Sequence, residues 1–539
     1  MTTGPARVLL RGGSVHSPAA QFATAMFTVD GRVAWIGDDA AASTYVDSAD
    51  EIVDLDGGLV TPGFVDAHAH LAATGFALQS VDLGRSFSRS HALAEIESYA
   101  RRHQRSVLYA HGWDETRWPD PRPMTITEVD RAVGDKVAYV ARVDSHSAVI
   151  SSALLAHDPA ITTMHGWGGA GLVARDAHHA ARAVTHALWT TADRRQAVRS
   201  ALGQAASQGV TSVHELNAPH IAPFEDFAII RELATETPGP DVVPYWGGMM
   251  GQEAPDDTPV GFAGDICVDG AVGSRTASMR APYADAATSG HLYLDAQQVC
   301  DHVVFCTQRG VQAGFHVIGD RAVHEAVSGF EQAAGRVGVD ALVRSRHRLE
   351  HVEMPDAAGM AAMGRLGIVA SVQPAFDAEW GAAGGMYAQR LGAARAGSMN
   401  PYASMLRAGV ILAFGSDSPV TPFAPWATVR AAAFHHNHDE RLKVQTAFSA
   451  HTRGGHRARG RDEGGVLVAG AEATYAVWDT AGDLTGQPGQ RVADRSGDAA
   501  VSTLPGLLPD AALPTCVRAV VRGTVVFDVA ADAGVKERR

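Results

Sequence analysis

The stretch "VTPGFVDAHAHL", residues 60–71, begins as an apolar run punctuated by Pro and Gly and ends in two histidines one residue apart. In an extended chain side chains alternate between faces, so His68 and His70 point one way while Ala67, Ala69 and Leu71 point the other. Two imidazoles on one face can grip one metal ion. Two buried histidines satisfied by hydrogen bonds would give the same string, so the rest of the chain has to decide.

Downstream the texture alternates between short apolar runs and helical patterns. With "LVTPGFVDAHAH" (59–70), eight strand candidates can be counted: "VTSVHEL" (210–216), "DVVPYW" (241–246), "DICVDG" (265–270), "VQAGFHVIG" (311–319), "HRLEHVEM" (347–354), "GIVASVQPAF" (367–376) and "GVILAFGSDSPV" (409–420) complete the set. Segments such as "DAQQVCDHVVFCTQRG" (295–310) and "DRAVHEAVSGFEQAAGRV" (320–337) carry apolar residues at three- and four-residue steps, the helical period. Eight such strands alternating with helices predict an α/β fold, a (β/α)8 TIM-type barrel, although a doubly wound open sheet would read similarly.

Residues 72 to about 200 are too many for a loop, and they contain strand patterns of their own, "RSVLYAHGWD" (105–114) and "KVAYVARVDSHSAV" (136–149), before a helical stretch at 181–209. An inserted α/β subdomain after the first strand is expected. The chain ends share β-type runs separated by Gly and Asp: "ARVLLRGGSV" (6–15), "FTVDGRVAWIGD" (27–38) and "EIVDLDGG" (51–58), then "ATYAVWD" (473–479) and "VRAVVRGTVVFD" (517–528), the last with a hairpin turn at its "RG". The expected organisation is a small composite β-sandwich from residues 1–58 and 451–539 flanking a barrel domain at 59–450. The patch "HTRGGHRARGRDEGG" (451–465) reads as a flexible connection between them.

Composition excludes several classes. A chain of 539 residues with 46% hydrophobic and 19% charged residues has enough apolar surface for a large core. The balance of 45 basic against 59 acidic residues, net charge -14, disfavours nucleic acid, for which the only support is the short run "RGGHRARGR" (453–461). No segment reaches the ~18 apolar residues of a membrane span, and the N-terminus lacks the apolar core of a signal peptide. Cys267, Cys300, Cys306 and Cys516 lack paired spacing, which points to a reducing compartment and the cytoplasm by default.

Barrels of this kind do their chemistry at the carboxyl ends of their strands, so polar residues there carry weight. His68 and His70 end the first strand candidate, His316 the fifth, His351 the sixth and Asp417 the eighth. Each alone has an ordinary structural reading. Together at one rim they form a donor set suited to zinc or a neighbouring divalent metal, with room left for water or substrate.

The motifs "PGFVDAHAH" (62–70), "DGAVGSRTA" (269–277), "FHVIGDRAV" (315–323), "RLEHVEM" (348–354), "SVQPAF" (371–376) and "FGSDSPV" (414–420) resemble the metal-dependent amidohydrolase superfamily. Within it they are similar to the branch containing N-substituted formamide deformylase. The resemblance covers nearly the whole chain and implies that His68, His70, His316, His351 and Asp417 ligate one or two divalent ions, zinc being the first choice. Many relatives carry on strand four a lysine that can be carboxylated to bridge two metals. Asp265 stands at the matching place here, so Asp265 bridges directly, Cys267 or Asp269 substitutes, or one metal is held.

The implied activity is hydrolysis of a non-peptide carbon–nitrogen bond in a small amide by metal-activated water, with Asp417 as general base and then acid. Hydrolysis of a cyclic amide or carbamate, a decarboxylation, and non-catalytic ligand binding on the same barrel are the alternatives. The segment "VDSHSAVISSALL" (143–155) resembles one that closes over the pocket, making His146 a candidate substrate donor. Ser274 and Arg275 are further substrate-binding candidates, Arg275 having Asp269 or Asp320 as alternative partners. Trp113, Trp118 and Trp380 either line an apolar pocket or pack in cores. A homodimer is the assembly allowed for.

Overall fold

The computed structural model describes residues 6–103, 105–252, 260–480 and 504–530. Eight parallel strands follow one another around a barrel: β1 (Phe64–Ala69), β2 (Val210–Asn217), β3 (Asp241–Trp246), β4 (Gly261–Phe262), β5 (Gln312–Val317), β6 (Arg348–His351), β7 (Val369–Val372) and β8 (Ile411–Phe414). Each pairs with its neighbour in sequence order. All eight residues of β2 and all six of β5 are buried, polar Thr211, Ser212, His214, Glu215 and Asn217 of β2 included, so neither strand shows a solvated face. The ring closes at the rim formed by the carboxyl ends of the strands: Asp417 donates its N–H to the His68 carbonyl (2.8 Å), and His70 donates to that of Ser418 (2.9 Å).

The fourth strand differs from the sequence reading. It occupies residues 261–262, and residues 265–270 run past its end as irregular chain beside β5, where Val268 donates to the His316 carbonyl (3.0 Å) and His316 donates to that of Ile266 (3.0 Å). Gly264 explains the break, because a Cβ there would lie 1.9 Å from the Asn217 carbonyl oxygen at the end of β2.

Between β1 and β2 lies a separate five-stranded sheet ordered Leu172–Ala174, Ser147–Ile150, Val137–Arg142, Val107–Trp113, Val81–Asp82. The stretch 136–149, expected as one strand, is two antiparallel strands that fold back through Ser145, whose φ is 54°. The expected helix at 181–209 is likewise two, Arg175–Ala187 and Thr191–Ser207. Thr190 starts the second: its hydroxyl accepts from the Asp193 N–H (3.2 Å), and the Asp193 carboxylate accepts from the Thr190 N–H (3.1 Å). Trp113 and Trp118 belong to this unit's own core, with Ile96, Leu108 and Met124, and line no pocket described below.

The chain ends build two packed sheets. One is ordered Arg32–Gly37, Ala25–Val29, Arg7–Arg11, Glu51–Asp54; the other is Ser14–Val15, Leu59–Pro62, Tyr475–Asp479, Thr515–Val521, Thr524–Asp528. Leu10, Met26, Val60, Tyr475 and Val520 share the core between them. The hairpin turns at Arg522 and Gly523, both at positive φ (46° and 79°), as a two-residue primed turn requires. Among the described residues, no helix is long and apolar enough to cross a membrane.

The glycine-rich patch is no flexible connection. Arg453–Ala458 is a helix laid against the bottom of β1 and β8, and the adjacent His451 exchanges bonds with Val65, its carbonyl accepting the Val65 N–H at 2.9 Å and its Nδ1 lying 2.9 Å from the Val65 carbonyl. The glycines permit this approach: a Cβ on Gly454 would lie 2.4 Å from the Leu412 carbonyl oxygen, and one on Gly455 would lie 2.3 Å from Val65 Cγ1. Replacing Gly454 with Ala should therefore cost about 1–3 kcal/mol through overpacking against backbone. A thermal melt checks this; an unchanged melting temperature contradicts the close packing.

Candidate metal centre and substrate cavity

The period-two alternation of β1 delivers His68 and His70 to the same side at the barrel mouth. His68 Nε2 lies 3.3 Å from Asp417 Oδ1 and 3.6 Å from Asp265 Oδ2; for His70 Nε2 the same distances are 3.1 Å and 3.5 Å. One ligand atom from each of these four buried residues lies within 4.8 Å of all the others. A cluster of two carboxylates and two imidazoles with this spacing fits a divalent cation. His68 Nε2 is buried and has no hydrogen-bond donor or acceptor at proper geometry, as expected of a lone pair reserved for an ion.

The orientation of His68 is fixed from behind. Its Nδ1 lies 2.8 Å from Glu350 Oε2, and Glu350 in turn receives Arg348, whose guanidinium also donates to the Ala67 carbonyl (2.6 Å) and to Ser371 Oγ (3.1 Å). Burial pushes the Glu350 carboxyl up, but Arg348 and His68 together outweigh it and the net shift is downward, so an anion stands behind His68. This arrangement assigns the proton to Nδ1 and aims Nε2 into the mouth.

The remaining predicted residues stand alongside rather than inside the four-residue group. Ring centroids run from His68 to His351 (4.9 Å), to His316 (4.4 Å) and on to His146 (5.0 Å), a row of imidazoles along the rim. His351 Nδ1 meets Gln373 Oε1 at 2.8 Å, leaving Nε2 buried without a partner. Asp269 sits behind His316, its Oδ1 3.7 Å from Nδ1, and accepts the N–H groups of Ser278, Ile318 and Gly319 at 2.7–2.9 Å. It is a strut and not a bridge. Cys267 Sγ faces His220 Nε2 at 3.4 Å, which leaves Asp265, of the three candidates on that segment, against both His68 and His70.

Local backbone strain marks the same rim. His351, Val352 and Asp417 all have positive φ (70°, 48° and 55°), a region that a β-branched residue such as Val352 rarely enters. Burial pulls the His70 imidazole down, but Asp265 and Asp417 outweigh it and hold it up at about 9; His68 is likewise raised. Asp417, which burial alone would raise, is held well below the ordinary carboxylate range by the two imidazoles. The carboxylates thus demand positive charge opposite them, and a divalent cation can supply it in place of two protons.

Above the group opens a cavity with about 860 Å³ of empty space. His70, Asp265 and Asp417 contribute to its lining, and so does His146, whose loop is held by Asp144, itself bound to Arg142 (2.9 Å). A smaller space of about 320 Å³ also touches Asp417 and is lined by His316, His351, Glu353 and Trp380, so of the three tryptophans Trp380 alone reaches a cavity. Ser274 and Arg275 do not line either cavity. Ser274 Oγ donates to Asp144 Oδ1 (2.8 Å), and Arg275 forms a two-pronged pair with Asp285 (3.0 and 2.6 Å) instead of Asp269 or Asp320. Sequence reasoning missed the cavity wall contributed by helix Arg175–Ala187, where His178, Arg182 and His186 recur every four residues. That periodicity was the available signal, and polar residues so spaced ordinarily read as a solvated face.

Comparison with known proteins shows the family. The chain is 24% identical over 520 residues to N-substituted formamide deformylase of Arthrobacter pascens, covering 85% of this chain and 90% of that protein. It is 23% identical over 509 residues to YtcJ of Bacillus subtilis strain 168, described as an amidohydrolase, covering 86% and 91%. Among solved structures, a metal-dependent hydrolase of Pyrococcus horikoshii OT3 superposes with a TM-score of 0.70 at 24% identity, covering 88% of this chain and 97% of that one. The model of the amidohydrolase family matches residues 51–527, from the strand Glu51–Asp54 to the last hairpin, and the chain therefore belongs to the amidohydrolase family.

Proposed function

We propose that the protein is a metal-dependent hydrolase that cleaves a non-peptide carbon–nitrogen bond, an amide of the formamide type, in a small molecule. The observation that carries this reading is the buried group of His68, His70, Asp265 and Asp417 at the floor of a cavity walled by imidazoles and aromatic rings. His68, His70 and Asp417 would hold a divalent cation, zinc being well suited, with Asp265 in the place of a bridging carboxylate and His316 and His351 disposed for a second ion. When bound, the cation supplies Lewis acidity that acidifies water and polarises the scissile carbonyl.

The chain's own residues do the rest. Asp417 lines the cavity while its backbone is locked to β1, so it can take the proton from the attacking water and return it to the departing amine. Glu350 and Arg348 keep His68 in one tautomer throughout. His146, neutral because burial holds its imidazole well down, can donate to a substrate oxygen beside His316.

Stripping the metal with a chelator should abolish release of amine from an N-formyl substrate, and adding zinc back should restore it. Full turnover by protein shown metal-free by elemental analysis would refute the reading, while formation of a product other than amine and acid would redirect it to another reaction on this barrel.

Replacing Asp417 with Asn keeps the size and one coordinating oxygen but removes the base. With metal retained, kcat should fall about 10²–10⁴-fold, the usual worth of a general acid–base group. Metal content and kcat measured on the same preparation decide it: full occupancy with activity within a few-fold of the parent removes Asp417 from the proton transfer.

A further inference from the structure

The large cavity contains a cation that the hydrolytic chemistry does not use. Helix Arg175–Ala187 of the inserted subdomain turns Arg182 into the cavity wall, half-buried. The four fully buried guanidiniums among the described residues all have carboxylate partners: Arg142 pairs with Asp114, Glu115 and Asp144, Arg194 with Asp226, Arg348 with Glu350, and Arg390 with Glu115 and Asp285. Arg182 has no such partner among the described residues. It donates to the carbonyl oxygens of Ser145 (2.5 Å) and His220 (3.4 Å) and also bonds the Tyr139 hydroxyl, uncharged partners that orient the guanidinium without neutralising it and use fewer than its five N–H donors.

Among the described residues, nothing else that lines the cavity offers Arg182 an anion. Of the carboxylates that line it, Asp144 is bound to Arg142, while Asp265 and Asp417 face His68 and His70. The surrounding imidazoles, His178, His179, His186 and His220, are kept neutral by burial first and by nearby positive charge second, His179 falling to about 4. They can donate or accept hydrogen bonds but do not offset charge. The rest of this wall is aromatic: Phe76 stacks on Trp189 at 3.5 Å between ring centroids, and Tyr109 meets Trp189 edge-on at 5.9 Å.

Resting on the amide-hydrolase reading, we propose that Arg182 binds a carboxylate carried by the substrate, so that the substrates are N-acyl or N-formyl compounds with an apolar, aromatic-compatible body and a free acid group. A single planar guanidinium fork matches one carboxylate, and the stacked rings suit the apolar body. A phosphate dianion would call for a second cation, which this wall lacks among the described residues. Arg182 also fixes the substrate's direction, because the carbonyl it grips belongs to Ser145, next in the chain to His146, whose ring lies 5.0 Å from that of His316.

The test is a calorimetric titration of the zinc-loaded protein with 3-phenylpropionate and with its neutral isostere 4-phenylbutan-2-one, a methyl ketone with no bond to hydrolyse. The acid should bind about tenfold tighter or more, the usual gain from a two-pronged charged contact. In Arg182→Gln that preference should vanish, and in Arg182→Lys part of it should remain. Equal binding of acid and ketone by the parent, or no binding of either, overturns the proposal without recourse to any variant. A preference that survives in Arg182→Gln overturns it too, since the acid would then sit on the metal. No turnover enters the titration, so a protein that selects the acid yet cleaves no amide would refute the hydrolase reading while leaving the anion site standing.

Discussion

Two carboxylates, Asp265 and Asp417, are buried facing two imidazoles at the point where a barrel must close, and this concentration of charge is the constraint that the rest of the rim serves. Taking a carboxylate out of water costs several kcal/mol unless an opposite charge and hydrogen bonds compensate. The compensation here is layered. His68 and His70 face the carboxylates, Glu350 and Arg348 steady His68, and the backbone of Asp417 and Ser418 pairs with β1 in continuation of the strand ladder. Closing the barrel and assembling the site are therefore one event. The positive φ angles of His351, Val352 and Asp417 are tolerated because strands on both sides over-determine them.

Much of this was legible in the chain. The H-x-H pattern works because period-two alternation is a property of any strand, and the ligand candidates on β1, β5, β6 and β8 fall at strand ends that apolar runs announce. The β4 segment was harder to read. Its strand is two residues long, and the run around Asp265 that looked like a strand is irregular chain permitted by Gly264, a close approach that one sequence cannot display. The glycines at 454 and 455 misled in the opposite direction: composition alone suggests a loose connection, whereas their missing side chains let a helix lie against β1 and β8.

The cavity was the least legible part for a physical reason. Its wall comes from a subdomain inserted between β1 and β2, and its polar residues acquire meaning only through partners distant in sequence. Ser274 meets Asp144 across 130 positions, and Arg142 draws together Asp114, Glu115 and Asp144. Local pattern could not distinguish Arg275, taken up by Asp285, from Arg182, which keeps its charge uncompensated among the described residues. The mouth of the barrel thus carries the candidate metal ligands, while the insert supplies the wall that holds Arg182.

The most direct measurement is anomalous diffraction from crystals of active protein, recorded above and below the zinc edge. The expected result is an anomalous peak about 2.0–2.2 Å from His68 Nε2, His70 Nε2 and the Asp417 carboxylate, with Asp265 at its edge. An active protein whose crystals show no metal peak between these four residues, or show it elsewhere, would contradict the assignment of this rim as the metal centre.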